Sequence, residues 1–375
     1  MKILIVGTSP NIPSGYGNVT KYLSEGLIMR DFDVKVMGLQ TRGIPSNSYE
    51  LPFQDSYGIL DWYVKTNEIT HLITICDIQL PIFTSIPNIV KQNKLKWIHH
   101  VTTQNSPLPK VIKNMLIEVD ALVSPSKFVH DCLVDAGRGS TIIPHAFTLP
   151  NLSDELSVDS PKEILGKFIY IAVATNQIQK NIVTVLKAFA KVKESEPDVA
   201  LICVSDPSAV GGLDLIELCH RYKLTLGVDI VFPVGKYRGM LTPVDMALLY
   251  KSADVYVSAS MGESFSLPVL EAAYHGLPSI VSDFSAPADF VKRFKCGAVV
   301  EVTMMQTNFS LSEQVLISEN DLAETMLSFK TSDAIRDSMI ANTDRVKECK
   351  EFELSNVLDK WENLLKGEQD ATTKS

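Results

Sequence analysis

The sequence predicts an α/β chain made of two successive domains, each with a Rossmann-like parallel sheet. Three observations predict it. Short apolar runs alternate with amphipathic stretches along almost the whole length, which is the pattern of repeated βαβ units. The alternation breaks once, over 148–163, where the residues are polar, acidic and flanked by proline, the composition of a linker. It then resumes, and 375 residues are enough for about two full cores.

In the first half the apolar runs at 3–6, 34–38, 72–76, 97–101, 121–124 and 141–144 read as strands. Between them 18–30, 81–91, 109–118 and 128–135 carry apolar residues at helical spacing. In the second half strands are expected at 168–173, 200–204, 230–232, 255–258, 279–281 and 298–300, and helices at 182–194, 213–222, 243–251, 267–274 and 287–294. From 318 to about 365 the pattern is helical, and Phe352, Leu354, Val357, Leu358, Trp361, Leu364 and Leu365 repeat with a period of 3.6. Two domains follow, 1–150 and 164–350.

The formal charge of −9 argues against a nucleic-acid partner, which selects for a basic face. No apolar run approaches the roughly 20 residues of a membrane-crossing helix. The start, Met1-Lys-Ile-Leu-Ile-Val-Gly7, reads as a first strand and is too short for a signal peptide. The six cysteines, at 76, 132, 203, 219, 296 and 349, show no Cys-x-x-Cys spacing. They read as reduced thiols in apolar surroundings, which places the chain in a cytoplasmic compartment. Lys91, Lys94, Lys96, Lys110 and Lys113 gather in the first half. They read as a solvated basic face, with peripheral contact to an anionic membrane as the sharper alternative.

The stretch with the most chemistry is Ser258-Ala-Ser-Met-Gly-Glu263-Ser-Phe-Ser-Leu-Pro-Val-Leu-Glu271-Ala-Ala-Tyr-His-Gly276. It reads as strand, short loop, helix start. Pro268 suits a first helical turn, Ser266 is the expected N-cap and Gly276 the C-terminal stop. At the carboxyl end of a parallel strand this is a ligand position. Peptide N–H groups of Phe265, Ser266 and Leu267 would meet a phosphate there. Glu271 would accept from ribose hydroxyls, and Glu263 would face a sugar.

This constellation resembles the Glu-x7-Glu motif of retaining glycosyltransferases of family 4, whose fold is GT-B: two Rossmann-like domains facing each other across a cleft. The resemblance covers most of the chain. It implies that 164–350 binds a nucleotide-sugar donor, that 1–150 is the acceptor side, and that a last helix near 352–368 returns to the first domain. It implies Gly15 and Gly17, in the loop after the first strand, against the donor phosphates. Lys180-Asn181 match the family's Lys-Asn; the arginine that relatives place just before is replaced by Thr175 or Asn176. Lys236, Tyr237 and Arg238 lie where relatives hold the nucleobase, and Lys236 and Arg238 are possible substitute cations. His99 and His100 end a strand, and adjacent strand residues face opposite ways; relatives have a histidine here that touches the transferred sugar, and His100 aligns better. Asp77 ends another strand and would orient sugar or acceptor.

On that resemblance Glu263, Lys180 and His100 are the catalytic candidates. Gly15, Gly17, Asn181, Ser264, Phe265, Ser266, Leu267 and Glu271 are the donor-binding ones, and Asp77, His99, Lys236 and Tyr237 complete the set. The expected reaction moves a hexose, with retention, from GDP-mannose first or a UDP-hexose second to a hydroxyl of a glycan or small molecule. No metal or other cofactor is expected, because protein groups meet the diphosphate. Two rivals stay open: a sugar-nucleotide epimerase of the same architecture and a non-catalytic nucleotide-sugar binder. A nicotinamide dehydrogenase fits poorly. The loop 8–17 is too long, a third glycine is absent, and Gln40 stands where an acid should bind ribose.

Overall fold

The computed structural model describes residues 1–12, 14–40, 47–51, 58–150, 164, 166–233 and 241–367. Most of the expected linker, and the loop carrying Lys236, Tyr237 and Arg238, lie outside the described residues. The chain forms two compact units. One contains Met1–Ala146, Ser310–Ser312 and Glu351–Ser375; the other contains Phe147–Phe309 and Glu313–Lys350.

The first unit begins β1 (Lys2–Thr8), α1 (Gly15–Ile28), β2 (Asp33–Leu39), β3 (Glu50–Leu51), α2 (Gly58–Thr66) and β4 (His71–Ile75). It continues with α3 (Ile86–Asn93), β5 (Lys96–His100), α4 (Lys110–Met115), β6 (Ala121–Ser124), α5 (Lys127–Asp135) and β7 (Thr141–Ile142). The sheet order is β3-β2-β1-β4-β5-β6-β7, with parallel pairing throughout. Both faces are covered, which is why the strands read as unbroken apolar runs. Leu4, Val6, Leu72 and Trp97 belong to the core on one face. Ile3, Ile5, Ile73 and Ile98 face the other, where α1 and the C-terminal helix Leu354–Lys366 complete the core with Leu23, Leu27, Val357 and Trp361. That last helix lies against α1 closely enough that a Cβ on Gly26 would come 2.4 Å from a Leu358 methyl. Arg30 adds ion pairs to Asp359 and Glu362.

The helix expected over 81–91 is divided. A 3-10 turn covers Pro81–Thr84, and α3 starts afresh at Ile86. Pro87 explains the division, since it has no N–H to continue a helix and suits the first turn of a new one.

Gly17 is fixed by a close approach. Its N–H donates to Ser14 Oγ, 3.1 Å away, so the N-cap of α1 is Ser14. A Cβ at Gly17 would lie 2.0 Å from the Ile12 carbonyl oxygen. This corrects the sequence expectation, because the Gly17 amide is taken by the cap. Gly17→Ala should therefore lower stability by about 1–3 kcal/mol through forced overpacking, read as a lower urea midpoint; an unchanged midpoint would show that the loop yields freely.

The second unit contains β8 (Phe168–Val173), α6 (Ile182–Ser195), β9 (Val199–Val204), α7 (Leu215–Arg221), β10 (Ile230–Val231) and α8 (Pro243–Lys251). Then come β11 (Val255–Val257), α9 (Leu267–Tyr274), β12 (Ser279–Ser282), α10 (Ser285–Phe294) and β13 (Gly297–Val300). Its parallel sheet has the order β10-β9-β8-β11-β12-β13. Residues 301–317, where periodicity gives no element, make an antiparallel ribbon of β14 (Val302–Thr307) and β15 (Glu313–Ile317). Helices α11 (Glu319–Thr331) and α12 (Asp333–Glu348) follow. Five of the cysteines are buried free thiols and Cys349 is exposed.

Candidate functional site

In each sheet the strand order reverses at one place, between β1 and β4 in the first unit and between β8 and β11 in the second. Such a reversal opens a crevice at the carboxyl ends of the strands, where ligands of parallel α/β sheets bind. The two-glutamate motif belongs to the loop that follows β11, so it lies at the second of these points.

The loop after β8 ends in a 3-10 turn, Ile178–Lys180, and Asn181, left-handed at φ 49°, begins α6. The loop after β11 is fastened to it. The Met261 N–H donates to the Gln179 carbonyl at 2.8 Å, and the Ser260 hydroxyl donates to the same oxygen at 3.3 Å. Lys180 Nζ then lies 3.0 Å from Glu263 Oε2, with the two side chains only 19% and 12% exposed. The first turn of α10 holds Glu263 from behind. Ser285 Oγ accepts the Glu263 N–H at 3.0 Å, and the Ala286 N–H donates to the Glu263 carbonyl. The two candidates of opposite charge, 83 positions apart in sequence numbering, thus meet in one ion pair.

Ser266 does not cap α9. It sits at φ 74°, ψ 79°, with no side-chain capping bond. Backbone geometry overrides the usual role of serine: in the left-handed region its hydroxyl does not take the capping bond to the first-turn N–H groups. Ser266, Ser285 and Asn181 are all non-glycine residues at positive φ, and each stands at a helix start around this crevice. Strain of this kind costs about 1–3 kcal/mol per residue and concentrates where function requires it. Phe265 is buried, Ser264 half-buried, and Leu267 opens the helix with Pro268 in its first turn. The helix start keeps N–H groups outside its own ladder, with the positive end of the dipole toward the crevice.

Glu271 lies one turn inside α9, half-buried. Tyr250, from α8, donates to its Oε2 at 2.8 Å and stacks on His275 with ring centroids 5.5 Å apart. Burial pushes the Glu271 carboxyl above the usual range, and the Tyr250 bond pulls partly against it. Asn176, which with Thr175 is one of the two residues read in the place of the arginine, is committed to structure. Its Nδ2 donates to the Asp206 and Leu213 carbonyls, and its Oδ1 accepts the Leu213 N–H. It pins the loop after β9 and supplies no cation.

In the first unit three groups meet at strand ends. Tyr16 Oη donates to Asp77 Oδ1 at 2.6 Å and lies 2.6 Å from Thr102 Oγ1. Asp77 and Gly15 are exposed. Both histidines are in the core. His99, on one face, has Thr74 Oγ1 2.8 Å from its Nδ1 and the Phe83 ring against it. His100, on the other, stacks between His145 and Trp361, with centroids 5.2 and 6.4 Å away. Each is 1% exposed, so the expectation that one ring opens to a ligand is corrected. The apolar cover supplied by the C-terminal helix encloses His100. The sequence also contains an Asp-x-Asp, Asp31-Phe-Asp33, but Asp33 opens β2, at the edge of the sheet opposite the ligand edge.

Tyr16, Tyr250 and Ser285 carry no local sequence signal. Their partners are 61, 21 and 22 positions away.

The family model described as glycosyl transferases group 1 matches residues 155–329, just under half of the chain. An alpha-monoglucosyldiacylglycerol synthase of Streptococcus pneumoniae is 28% identical over 49% of this chain and 43% of its own length. A GDP-mannose-dependent alpha-mannosyltransferase of Mycolicibacterium smegmatis is 27% identical over 34% of this chain and 30% of its own length. The chain thus spans less than half the length of either relative. Among solved structures, sucrose-phosphate synthase from Thermosynechococcus elongatus superposes with a TM-score of 0.75 at 18% identity, over 98% of both chains. HepE from Anabaena in complex with UDP-glucose gives 0.73 at 14% identity, over 98% of this chain and all of that one. Two Rossmann-like parallel-sheet domains of this kind are the GT-B fold.

Proposed function

We propose that the chain is a retaining, nucleotide-sugar-dependent glycosyltransferase that moves a hexose to a hydroxyl acceptor. The observation that carries this reading is the Lys180–Glu263 pair at the β8/β11 reversal, beside the start of α9 and with Glu271 one turn beyond. The family match and the names of the relatives support it. GDP-mannose is the first donor to test and UDP-glucose the second, since the one is named for a relative and the other for a structural neighbour.

In this reading the diphosphate lies at the start of α9, where the first-turn N–H groups and the dipole favour an anion. Glu271 takes the ribose hydroxyls through the carboxylate oxygen that Tyr250 leaves open. As the glycosidic bond breaks, charge builds on the leaving phosphate, and Lys180 exchanges the Glu263 carboxylate for it. Preorganised charge of this kind contributes more to such catalysis than any other single effect. Glu263, released from its cation, positions the hexose, while Asn181 and Ser266 hold the two helix starts in shape. Acceptor recognition is assigned to the first unit, where Tyr16, Asp77 and Thr102 gather; His100 is assigned to packing there.

One observation favours a second reading, a non-catalytic nucleotide-sugar binder: Thr175 and Asn176, the two residues read in the place of the arginine, are both uncharged, and Asn176 is bonded to the loop after β9. The same experiment addresses both. Calorimetric titration with GDP-, UDP- and ADP-sugars should find one saturable donor, with binding lost in Glu271→Ala. Turnover of that donor with an acceptor panel separates enzyme from binder. No binding by any donor, in a folded protein, would remove the reading.

A further inference from the structure

Tyr250 is only 1% exposed, yet its hydroxyl reaches the candidate site. It comes from α8, whose start is fixed by Pro243 in the first turn and by a reciprocal cap between Thr242 and Asp245. Its ring belongs to the core face that also holds Leu249, Val269 and Leu277, and His275 stacks on it with an interplanar angle of 11°. A ring held in this way has little freedom to turn. The hydroxyl donates to Glu271 Oε2 at 2.8 Å and stands 3.4 Å from the Pro268 carbonyl oxygen. One group therefore ties Glu271 to the first turn of α9, the turn whose N–H groups lie outside the helix ladder.

We propose, resting on the donor reading above, that Tyr250 is a positioning residue that sets Glu271 as the acceptor for the ribose hydroxyls and so makes the site selective for ribonucleotides. Without it the carboxyl would be free to rotate and quicker to take a proton. Burial pushes Glu271 above the usual carboxylate range, and the Tyr250 bond pulls against that rise. Tyr250 stays a donor, because burial first and the Glu271 charge second raise its phenol well above the ordinary value. The bond keeps Glu271 ionised and turned so that its other oxygen is left for a ligand. An ionised oxygen accepts hydrogen bonds roughly twice as strong as those to a neutral one. A ribose brings two vicinal hydroxyl donors to that oxygen, and a nucleotide lacking them brings none. Among the described residues, the other titratable groups around α9 are Tyr256 of β11, which faces Glu263 and Glu271, and His275, which faces Lys251 of α8 and Lys347 of α12. Burial is the main cause that pushes Tyr256 up and His275 down to about 4, so neither changes charge near neutral pH. The acid limb of donor binding is therefore assigned to Glu271, with its midpoint set by Tyr250.

The test is calorimetry on the full chain in two parts. The first uses UDP and GDP against their 2′,3′-dideoxy forms. Tyr250→Phe should weaken the ribonucleotide that binds about tenfold, as loss of a hydrogen bond to a charged group requires. It should leave the dideoxy form unchanged, which also shows that the variant is folded. The second part follows UDP-glucose and GDP-mannose, whose diphosphates do not titrate near neutrality, over the pH range in which the protein stays folded. In Tyr250→Phe the affinity should begin to fall at a higher pH than in the wild type, because Glu271 without its donor takes up a proton sooner. A side chain that only packs would weaken both kinds of nucleotide alike and would not move this profile. In Glu271→Gln the wild-type acid limb should flatten, a result independent of how well Tyr250→Phe folds. Equal weakening of ribose and dideoxy forms, coincident pH profiles for wild type and Tyr250→Phe, or an acid limb undiminished in Glu271→Gln would each overturn the role of Tyr250 and leave the donor reading standing. Binding of no nucleotide by the wild type would remove both.

Discussion

Lys180→Ala should lower hexose transfer about a hundredfold, equivalent to roughly 3 kcal/mol of transition-state stabilisation. The ion pair makes the prediction more specific. Lys180 and Glu263 are both largely buried, and removing one member of such a pair leaves the other charge uncompensated, a penalty of about 3–5 kcal/mol. In Lys180→Ala the orphaned carboxylate would stand beside an incoming diphosphate, so donor affinity should fall along with the rate. Adding Glu263→Gln removes that repulsion. The double variant should regain donor affinity and regain no transfer, because the cation that meets the leaving group is still absent. Calorimetry and turnover on the two single variants and the double one close a cycle in which binding is non-additive. Lys180→Ala turning over at the wild-type rate would sink the assignment. Full recovery of transfer in the double variant would mean that Lys180 only neutralises Glu263.

The fold was readable because its strands are covered on both faces. Ile3, Ile5, Leu4 and Val6 serve two cores at once, so the sequence shows a continuous apolar run that only a parallel, helix-covered sheet explains. The motif loop was readable for a local reason, since Pro268 and Gly276 mark the two ends of α9 in the sequence itself. What sequence reading missed depends on tertiary contacts. The torsion that turns Ser266 away from capping is set by the loop as a whole. Tyr250 and Ser285 reach the site from other helices, and Asn176 is claimed by carbonyls 30 and 37 positions away. The two histidines show the boundary well. Alternation along β5 correctly sends them to opposite faces, but only the return of Leu354–Lys366 onto α1 shows that the face holding His100 is closed.

That closure has a consequence for acid stability, and it should be large. Burial drives the His99 imidazole down to about 3 and that of His100 to about 4. His145, stacked on His100, is also pushed well below the ordinary value by burial and by its neighbour. An unfolded histidine titrates near 6.5. Below that pH the unfolded chain takes up protons that the folded core refuses, so stability falls as pH falls, and for His100 the loss continues down to about 4. At pH 5 the difference amounts to about 2 kcal/mol for each of His99 and His100, with His145 acting in the same direction. Domains of this kind hold roughly 5–15 kcal/mol in all, so the first unit should unfold on mild acidification while its carboxylates are still ionised. Among the described groups around these rings are Tyr22, whose Oη is 3.4 Å from His145 Nδ1, Thr74, Phe83 and Trp361. None of them carries a negative charge to hold a protonated imidazole. Urea titrations from pH 8 to pH 5 should therefore show a steep loss of stability below pH 6.5. His100→Phe keeps the stack on Trp361 and removes one titrating group, so its stability should fall less over the same range, by about one proton's worth of slope. Parallel curves for wild type and variant would show that His100 exchanges protons freely in the folded protein, and that the C-terminal helix does not seal it.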